Sequence, residues 1–331
     1  MSLINVNKIG GDGERGVSWL WPAMARYGAI FVLVAMIVVF AAIDPERFLS
    51  VDNMINIFNQ SALTAIIAMG LTFALVSGDF DLSIGYVASF GGILAAWFMV
   101  DQGWAILPAA GAALVGAALV GYVNGLLVTR IGINALVATL GVGTVVLGLN
   151  YAITGGIPAV IDNETFLDFT INKLWGVPYP VYVMIVVAIL LWVCLNRTPL
   201  GKAMQAVGGN RTAAEFSGIR VSRVREICFV ITAVSAAVTG ILLASQSGSA
   251  TMDGGQSYLL SAYAAVFFGS AVLRDGQFHV VGTLIGVLTV AVGFNGIAII
   301  GIESYYQYVF QGMLLILAVG LGSIGRRIAE R

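Results

Sequence analysis

Charge and histidine are scarce in this chain. Asp, Glu, Lys and Arg make up 10% of its 331 residues, and His279 is the single histidine. So little polar surface cannot cover a soluble globule. One histidine without a nucleophile in a recognisable motif, and no Cys/His cluster at ligand spacing, leave metal binding and enzymatic catalysis without support. The two cysteines, Cys194 and Cys228, end apolar runs facing one loop, where a reducing cytoplasm would keep them as thiols, so no disulfide framework is expected. No G-x-x-x-x-G-K-S/T phosphate loop occurs, which excludes ATP binding of that kind. The first 26 residues lack the short apolar core of a cleaved signal and read as a cytoplasmic tail.

What the chain has is apolar length. Hydrophobic residues make up 59% and the mean hydropathy is +0.95. Runs long enough to cross a hydrocarbon core of about 30 Å recur from end to end. Hydropathy predicts ten spans, at 27–43, 55–77, 82–100, 105–128, 133–153, 180–195, 226–245, 258–272, 278–300 and 304–322. Only helices or closed barrels satisfy their backbones in lipid, and barrel alternation is absent, so the class is all-α and polytopic. The transmembrane domain covers 27–325, followed by a short tail at 326–331. With the N-terminus inside, every Lys and Arg except Arg47 and Lys173 falls on the inner side. That bias sets orientation during insertion, and both termini are expected in the cytoplasm. Acids including Asp44, Glu46, Asp52 and Asp168 lie outside, where they could meet a partner with basic patches. Glycine pairs such as Gly121/Gly125 and Gly282/Gly286 are read as tight packing within the chain rather than a dimer seam.

Three polar interruptions stand out. The segment 196–225 is a long basic loop that the orientation places in the cytoplasm. Between the second and third spans, Ser77 to Gly85 carries Asp79 and Asp81 two positions apart. Asp81 or Ser83 could cap the third span there, or the carboxylates could line a permeation path; both readings stay open. In the second span Asn56, Asn59 and Gln60 share a face at i, i+3 and i+4, and should turn from lipid toward a helix or cavity. Neutral amides suit a sugar or polyol better than an ion. The outer loop 154–179, with its apolar stretch from Phe166 to Trp175, is a candidate docking surface.

Gly78-Asp-Phe-Asp-Leu-Ser-Ile-Gly85 resembles the G-D/E-I/F-D-L-S-x-G signature of permease subunits of ribose-type ABC sugar importers, within the branched-chain amino acid and sugar permease superfamily. Residues 197–219 are similar to that family's R-T-x-x-G-x-x-x-x-A-x-G-x-N-x-x-A-A-x-x-S-G-I signature. Gly132 to Leu140, Thr154-Gly-Gly156 and the stretch from Gly282 to Gly296 match in order, so the resemblance covers about 26–325. The segment Tyr258 to Ser270, followed by Arg274-Asp275, departs from the family's usual Gly-rich turn and marks a side branch.

The resemblance implies a transport subunit of type II importer fold in a bacterial inner membrane, with no catalysis of its own. Its implied partners are a second permease chain, a cytoplasmic ATPase holding ATP and Mg²⁺, and a periplasmic substrate-binding protein delivering a monosaccharide. The chain itself would bind no cofactor, and nothing points to nucleic acid. It further implies a coupling helix at Asn210 to Gly218, with Arg211 and Glu215 as polar contacts and Ala213, Ala214 and Phe216 as an apolar knob. Gly208-Gly209 and Gly218 would allow sharp turns at its ends. Path candidates are Asn56, Asn59, Gln60, Asp79, Asp81 and Ser83. The rival readings are an ion-coupled secondary transporter using Asp79 and Asp81, and an uncoupled facilitator.

Overall fold

The computed structural model describes residues 20–270 and 276–329. Most of the expected 1–26 tail, the departure at Arg274-Asp275 and the last residues of the 326–331 tail lie outside the described residues. Helix α1 (Leu20–Ile43) starts ahead of the expected boundary at 27 and is followed by one turn, α2 (Pro45–Phe48). Ser50 caps α3 (Val51–Val76), its Oγ accepting the Asn53 amide at 3.2 Å. Then come α4 (Ile84–Val100) and α5 (Ile106–Leu126), which runs on through a π-helical turn over Leu127–Ile131. Helix α6 (Ala135–Thr154) is capped by Asn134, whose Oδ1 accepts the Leu136 amide. The loop between α6 and α8 holds β1 (Ala159–Val160), α7 (Glu164–Ile171), β2 (Lys173–Leu174) and β3 (Val177–Pro178).

The second half runs through α8 (Tyr179–Arg197), α9 (Pro199–Gly209), α10 (Arg211–Phe216) and α11 (Val221–Ser247). After β4 (Ser249–Ala250) and a 3₁₀ turn at Gly254–Gln256 come α12 (Ser257–Ser270), α13 (Val280–Ile299) and α14 (Tyr305–Ala329). His279 caps α13, its Nδ1 accepting the Gly282 amide at 2.9 Å. Among the described residues six helical stretches are long and apolar enough to cross a membrane, at Val51–Val76, Ile106–Ile131, Ala135–Thr154, Tyr179–Arg197, Val221–Ser247 and Val280–Ile299. Gly28–Ile43 and Ile84–Val100 are shorter apolar helices.

Two short antiparallel ladders interrupt the all-α expectation. β1 pairs with β4, Ala159 opposite Ala250, and β2 pairs with β3. Chain that leaves a helix must still pair its amides, and these ladders do so at the ends of the bundle. The β2–β3 turn is formed by Trp175 (φ 51°) and Gly176 (φ 82°), both left-handed as a tight hairpin requires. The expected docking loop 154–179 is therefore a folded cap. Phe166 is buried and its carbonyl accepts from Ser245 Oγ on α11, while Trp175 points outward, 89% exposed.

Helix α3 is the hub, packing against α8, α11, α12 and α13. Helix α11 lies against α3, α4 and α5. The glycine pairs serve this packing within the chain. Gly121 and Gly125 abut Phe229 and Glu226 of α11, and Gly282 and Gly286 abut Gly269 and Ala265 of α12. The polar Asn124, Asn150 and Asn295 bridge elements: Asn295 and Asn53, for example, exchange amide hydrogen bonds of 3.0 and 2.7 Å.

Candidate functional site

Polar side chains recur four residues apart on three apolar helices: Asn56/Gln60 on α3, Ser257/Ser261 on α12 and Gln307/Gln311 on α14. That spacing stacks each pair on one helical face, and a face of this kind turned to lipid is costly. The helices pack so that these faces converge. Gln60, Ser61 and Thr64 meet Ser257, Tyr258 and Ser261 and also Gln307, Tyr308 and Gln311, over an apolar wall of Val287, Val290, Ala291 and Phe294 from α13. They enclose a cleft of about 250 Å³ in which no lining side chain is charged. Gln311 Nε2 donates to Ser261 Oγ at 2.9 Å, and Gln307 Nε2 to the Phe294 carbonyl at 3.2 Å.

Amides and hydroxyls both donate and accept, so the cleft can match hydroxyl groups of either polarity without meeting a charge. Small-molecule pockets run from roughly 300 Å³ upward, so this one suits a ligand of only a few heavy atoms to a dozen. Of the path candidates only Gln60 lines it. Asn56 is exposed and reaches it only through its 3.2 Å bond from Gln60 Nε2. Asn59, a third of a turn or so further round, stays half-buried outside the lining. Ser257, Ser261, Gln307 and Gln311 escaped the sequence reading, although their i, i+4 repeat within apolar helices was the available signal.

Asp79, Asp81 and Ser83 come together in the turn between α3 and α4, beyond the C-terminal end of α3, and all three are buried. Gly78, at φ 79°, turns the chain out of α3 in a left-handed conformation that glycine adopts freely. Asp81 Oδ1 accepts from the Ser83 amide at 2.9 Å and from Ser83 Oγ at 2.5 Å. The Asp81 amide and carbonyl bracket the Tyr263 hydroxyl at 3.0 Å each, and Asn124 Nδ2 reaches Ser83 Oγ at 2.9 Å. Ser83 makes no side-chain cap of α4 itself. The turn is thus knotted into α5 and α12, and these oxygens face protein rather than an open path.

Asp81 has no cationic partner, its Oδ2 is without a hydrogen-bond partner among the described residues, and burial pushes its carboxyl from 3.8 up to about 6 despite the Ser83 bonds that oppose it. A raised acid favours the folded state while protonated, so its stabilising contribution is complete below pH 3.8 and is lost as pH rises through about 6. Asp81→Asn cannot ionise. Its thermal midpoint in detergent is expected to gain on the wild type between pH 4 and 7, by the equivalent of about 3 kcal/mol at most. A pH-independent difference would refute this.

The segment 196–225 folds back onto the same turn. Thr198 caps α9, accepting the Gly201 amide at 3.0 Å, with Pro199 at the first helical position. Met204 and Val207 are buried. Gly208 is not a hinge: it lies inside α9, and a Cβ there would overlap the Val76 carbonyl, so close approach to α3 is what requires glycine. Asn210 caps α10, its Oδ1 accepting the Ala213 amide at 3.0 Å, and Gly218 at φ 82° ends it. Ala214 faces inward and is buried, which removes it from the expected apolar knob; Ala213, Glu215 and Phe216 are exposed, Phe216 at 89%.

Arg211 likewise departs from its expected role as an outward contact. Its Nη2 binds the carbonyls of Ser77 and Gly78 at 3.1 and 2.9 Å and Asp79 Oδ1 at 3.0 Å. Arg225, at the start of α11, grips the same carboxylate bidentately, Nε to Oδ2 at 2.7 Å and Nη2 to Oδ1 at 2.6 Å. A carboxylate shared by two guanidinium groups is a strong, directional arrangement, and Arg211 sits at the C-terminal end of α3, where the helix dipole is negative. Among the described residues no three His, Cys, Asp or Glu side chains are placed to hold a metal ion.

Residues 53–319 match the family described as branched-chain amino acid transport system, permease component. The ribose import permease protein of Bacillus subtilis is 35% identical over 301 residues, covering 89% of this chain and 92% of that protein. The D-allose transport system permease protein of Escherichia coli K12 is 32% identical, covering 89% and 91%. The L-arabinose ABC transporter permease protein of Azospirillum brasilense is 30% identical, covering 91% and 88%. No solved structure matches the chain.

Proposed function

Because the chain belongs to the branched-chain amino acid transport system permease component family, we propose that it is the membrane subunit of an ATP-driven importer for a monosaccharide or related polyol. Two such chains form the path in the inner membrane of a bacterium, each crossing ten times in the type II importer arrangement with both ends in the cytoplasm. A separate ATPase drives the cycle from the cytoplasmic side, where α10 presents Phe216 as its contact, and a periplasmic binding protein delivers the cargo. ATP and Mg²⁺ belong to the ATPase.

The observation that carries this reading is the neutral lining of the cleft between α3, α12 and α14. A carrier coupled to protons through a carboxylate would need that carboxylate there, and the two candidates lie in the turn beyond the C-terminal end of α3, with Asp79 already held by Arg211 and Arg225. The names of the relatives, which carry ribose, D-allose and L-arabinose, point to the same class of cargo.

The test is uptake of labelled pentoses and hexoses into proteoliposomes holding the permease with its co-expressed ATPase and binding protein. Uptake that requires ATP hydrolysis and the loaded binding protein is the expected result; uptake by the permease alone along an ion gradient would sink the reading. Gln311→Leu, which strips the cleft of an amide and leaves Ser261 without its donor, is expected to cut uptake about tenfold, with the ATPase still bound.

A further inference from the structure

We propose that Asp79 is the joint through which movement of the 196–225 segment is passed into α3, a positioning residue for ATP-driven import rather than a part of the cargo path. The inference rests on the transporter reading above and adds a residue to it. One carboxylate, 3% exposed, is held by two arginines from two different elements: Arg211 on α10 and Arg225 on α11. Arg211 also binds the carbonyls of Ser77 and Gly78 in the turn that ends α3, and Gly208 of α9 sits directly against the Val76 carbonyl. The segment is therefore bolted to the end of α3 and the turn that follows it at three points, and Phe216 is left exposed.

Pulling α10 without α3 would strip the buried carboxylate of one of its two guanidinium partners, Arg211, and leave Arg225 of α11 to hold it alone, which is unfavourable. Carrying α3 along costs no such loss. Helix α3 is continuous from Val51 to Val76, and its Gln60, Ser61 and Thr64 form one wall of the cleft. The joint lies at the C-terminal end of this rod and the wall near its middle, roughly 20–25 Å apart at 1.5 Å per residue. A displacement imposed at Phe216 is delivered to the cleft wall by rigid-body motion, and Asp79 is where the two bodies are fastened.

The experiment uses the whole reconstituted complex and reads the ratio of ATP hydrolysis with and without loaded binding protein, alongside uptake. In Asp79→Asn the ratio is expected to fall at least tenfold and uptake with it, while the ATPase still co-purifies; Asp79→Glu is expected to recover part of both. Arg211→Gln, altering the half-exposed arm, guards against a variant that fails to insert, and is expected to show the same uncoupling to a smaller extent. Stimulation within twofold of wild type in both Asp79→Asn and Arg211→Gln overturns the joint, as does loss of the ATPase from the purified complex, which marks a structural clamp only. Absence of ATP-driven uptake in the wild-type complex overturns the transporter reading and the joint together, and is recognisable because it needs no variant.

Discussion

Phe216→Asp is expected to abolish capture of the ATPase by the permease, with an affinity loss of at least a hundredfold, while the chain still inserts and purifies as before. The two halves of that expectation have separate causes. Phe216 is 89% exposed at the end of α10, so its removal takes nothing from the folded chain. Large aromatic anchors carry a disproportionate share of interface energy, and a carboxylate forced into the pocket that received one adds an unpaired buried charge. A hundredfold corresponds to about 2.7 kcal/mol, within the range of a single hot spot. Pull-down of the ATPase on tagged permease is the measurement; unchanged recovery would mean that the motor grips the chain elsewhere.

Gly240→Leu is expected to reduce folded protein more than tenfold, and here the effect falls on stability alone. At the crossing of α4 and α11, a Cβ on Gly240 would overlap the Ala88 carbonyl, and one on Gly92 would lie 2.7 Å from the Gly240 carbonyl. The obstacle is backbone on both sides, which cannot rotate out of the way. Ordinary overpacking costs roughly 1–3 kcal/mol; separating two helices along their seam costs more, because every contact along it lengthens. Gly141→Ala, at a glycine of α6 with nothing near its missing Cβ, is the control and is expected to be neutral or slightly stabilising. The monodisperse peak on size-exclusion chromatography reads both.

Much of the helical architecture was legible in the sequence, because hydropathy reports a local, one-dimensional quantity. A helix occupies each segment that hydropathy picked out, and Asn210 and Gly218 bound α10 as their chemistry suggests. What was not legible depends on which atoms a fold brings together. Gly208 reads as a hinge by composition, yet its role is set by the Val76 carbonyl, 132 positions earlier in the chain. The family resemblance implies Arg211 as a polar contact for a partner; only the return of the loop to the end of α3 gives its guanidinium a partner in Asp79. Ala213 and Ala214 are indistinguishable in sequence, and one-residue rotation about a six-residue helix decides which is buried. The cleft was half legible: Gln60 was marked, whereas Gln307 and Gln311 lay in helices judged only for their apolarity.

Helix α3 inverts the relation between apolarity and contact with lipid. Among the long apolar stretches it has the lowest mean hydropathy, 1.5, and the greatest burial, 83%, whereas Tyr179–Arg197 has 2.2 and only 22%. During synthesis α3 enters the bilayer well before α11, α12 and α13, which are encoded about 150 to 200 residues later. At roughly 5–20 residues per second, its amide and hydroxyl face waits about ten seconds or more for the helices that will cover it. Biogenesis of this protein therefore passes through a stage in which its central helix is uncovered, and a quality-control factor that recognises polar groups in lipid would find Asn59, Ser61 and Thr64 more accessible at that moment than in the folded chain, where Ser61 is buried.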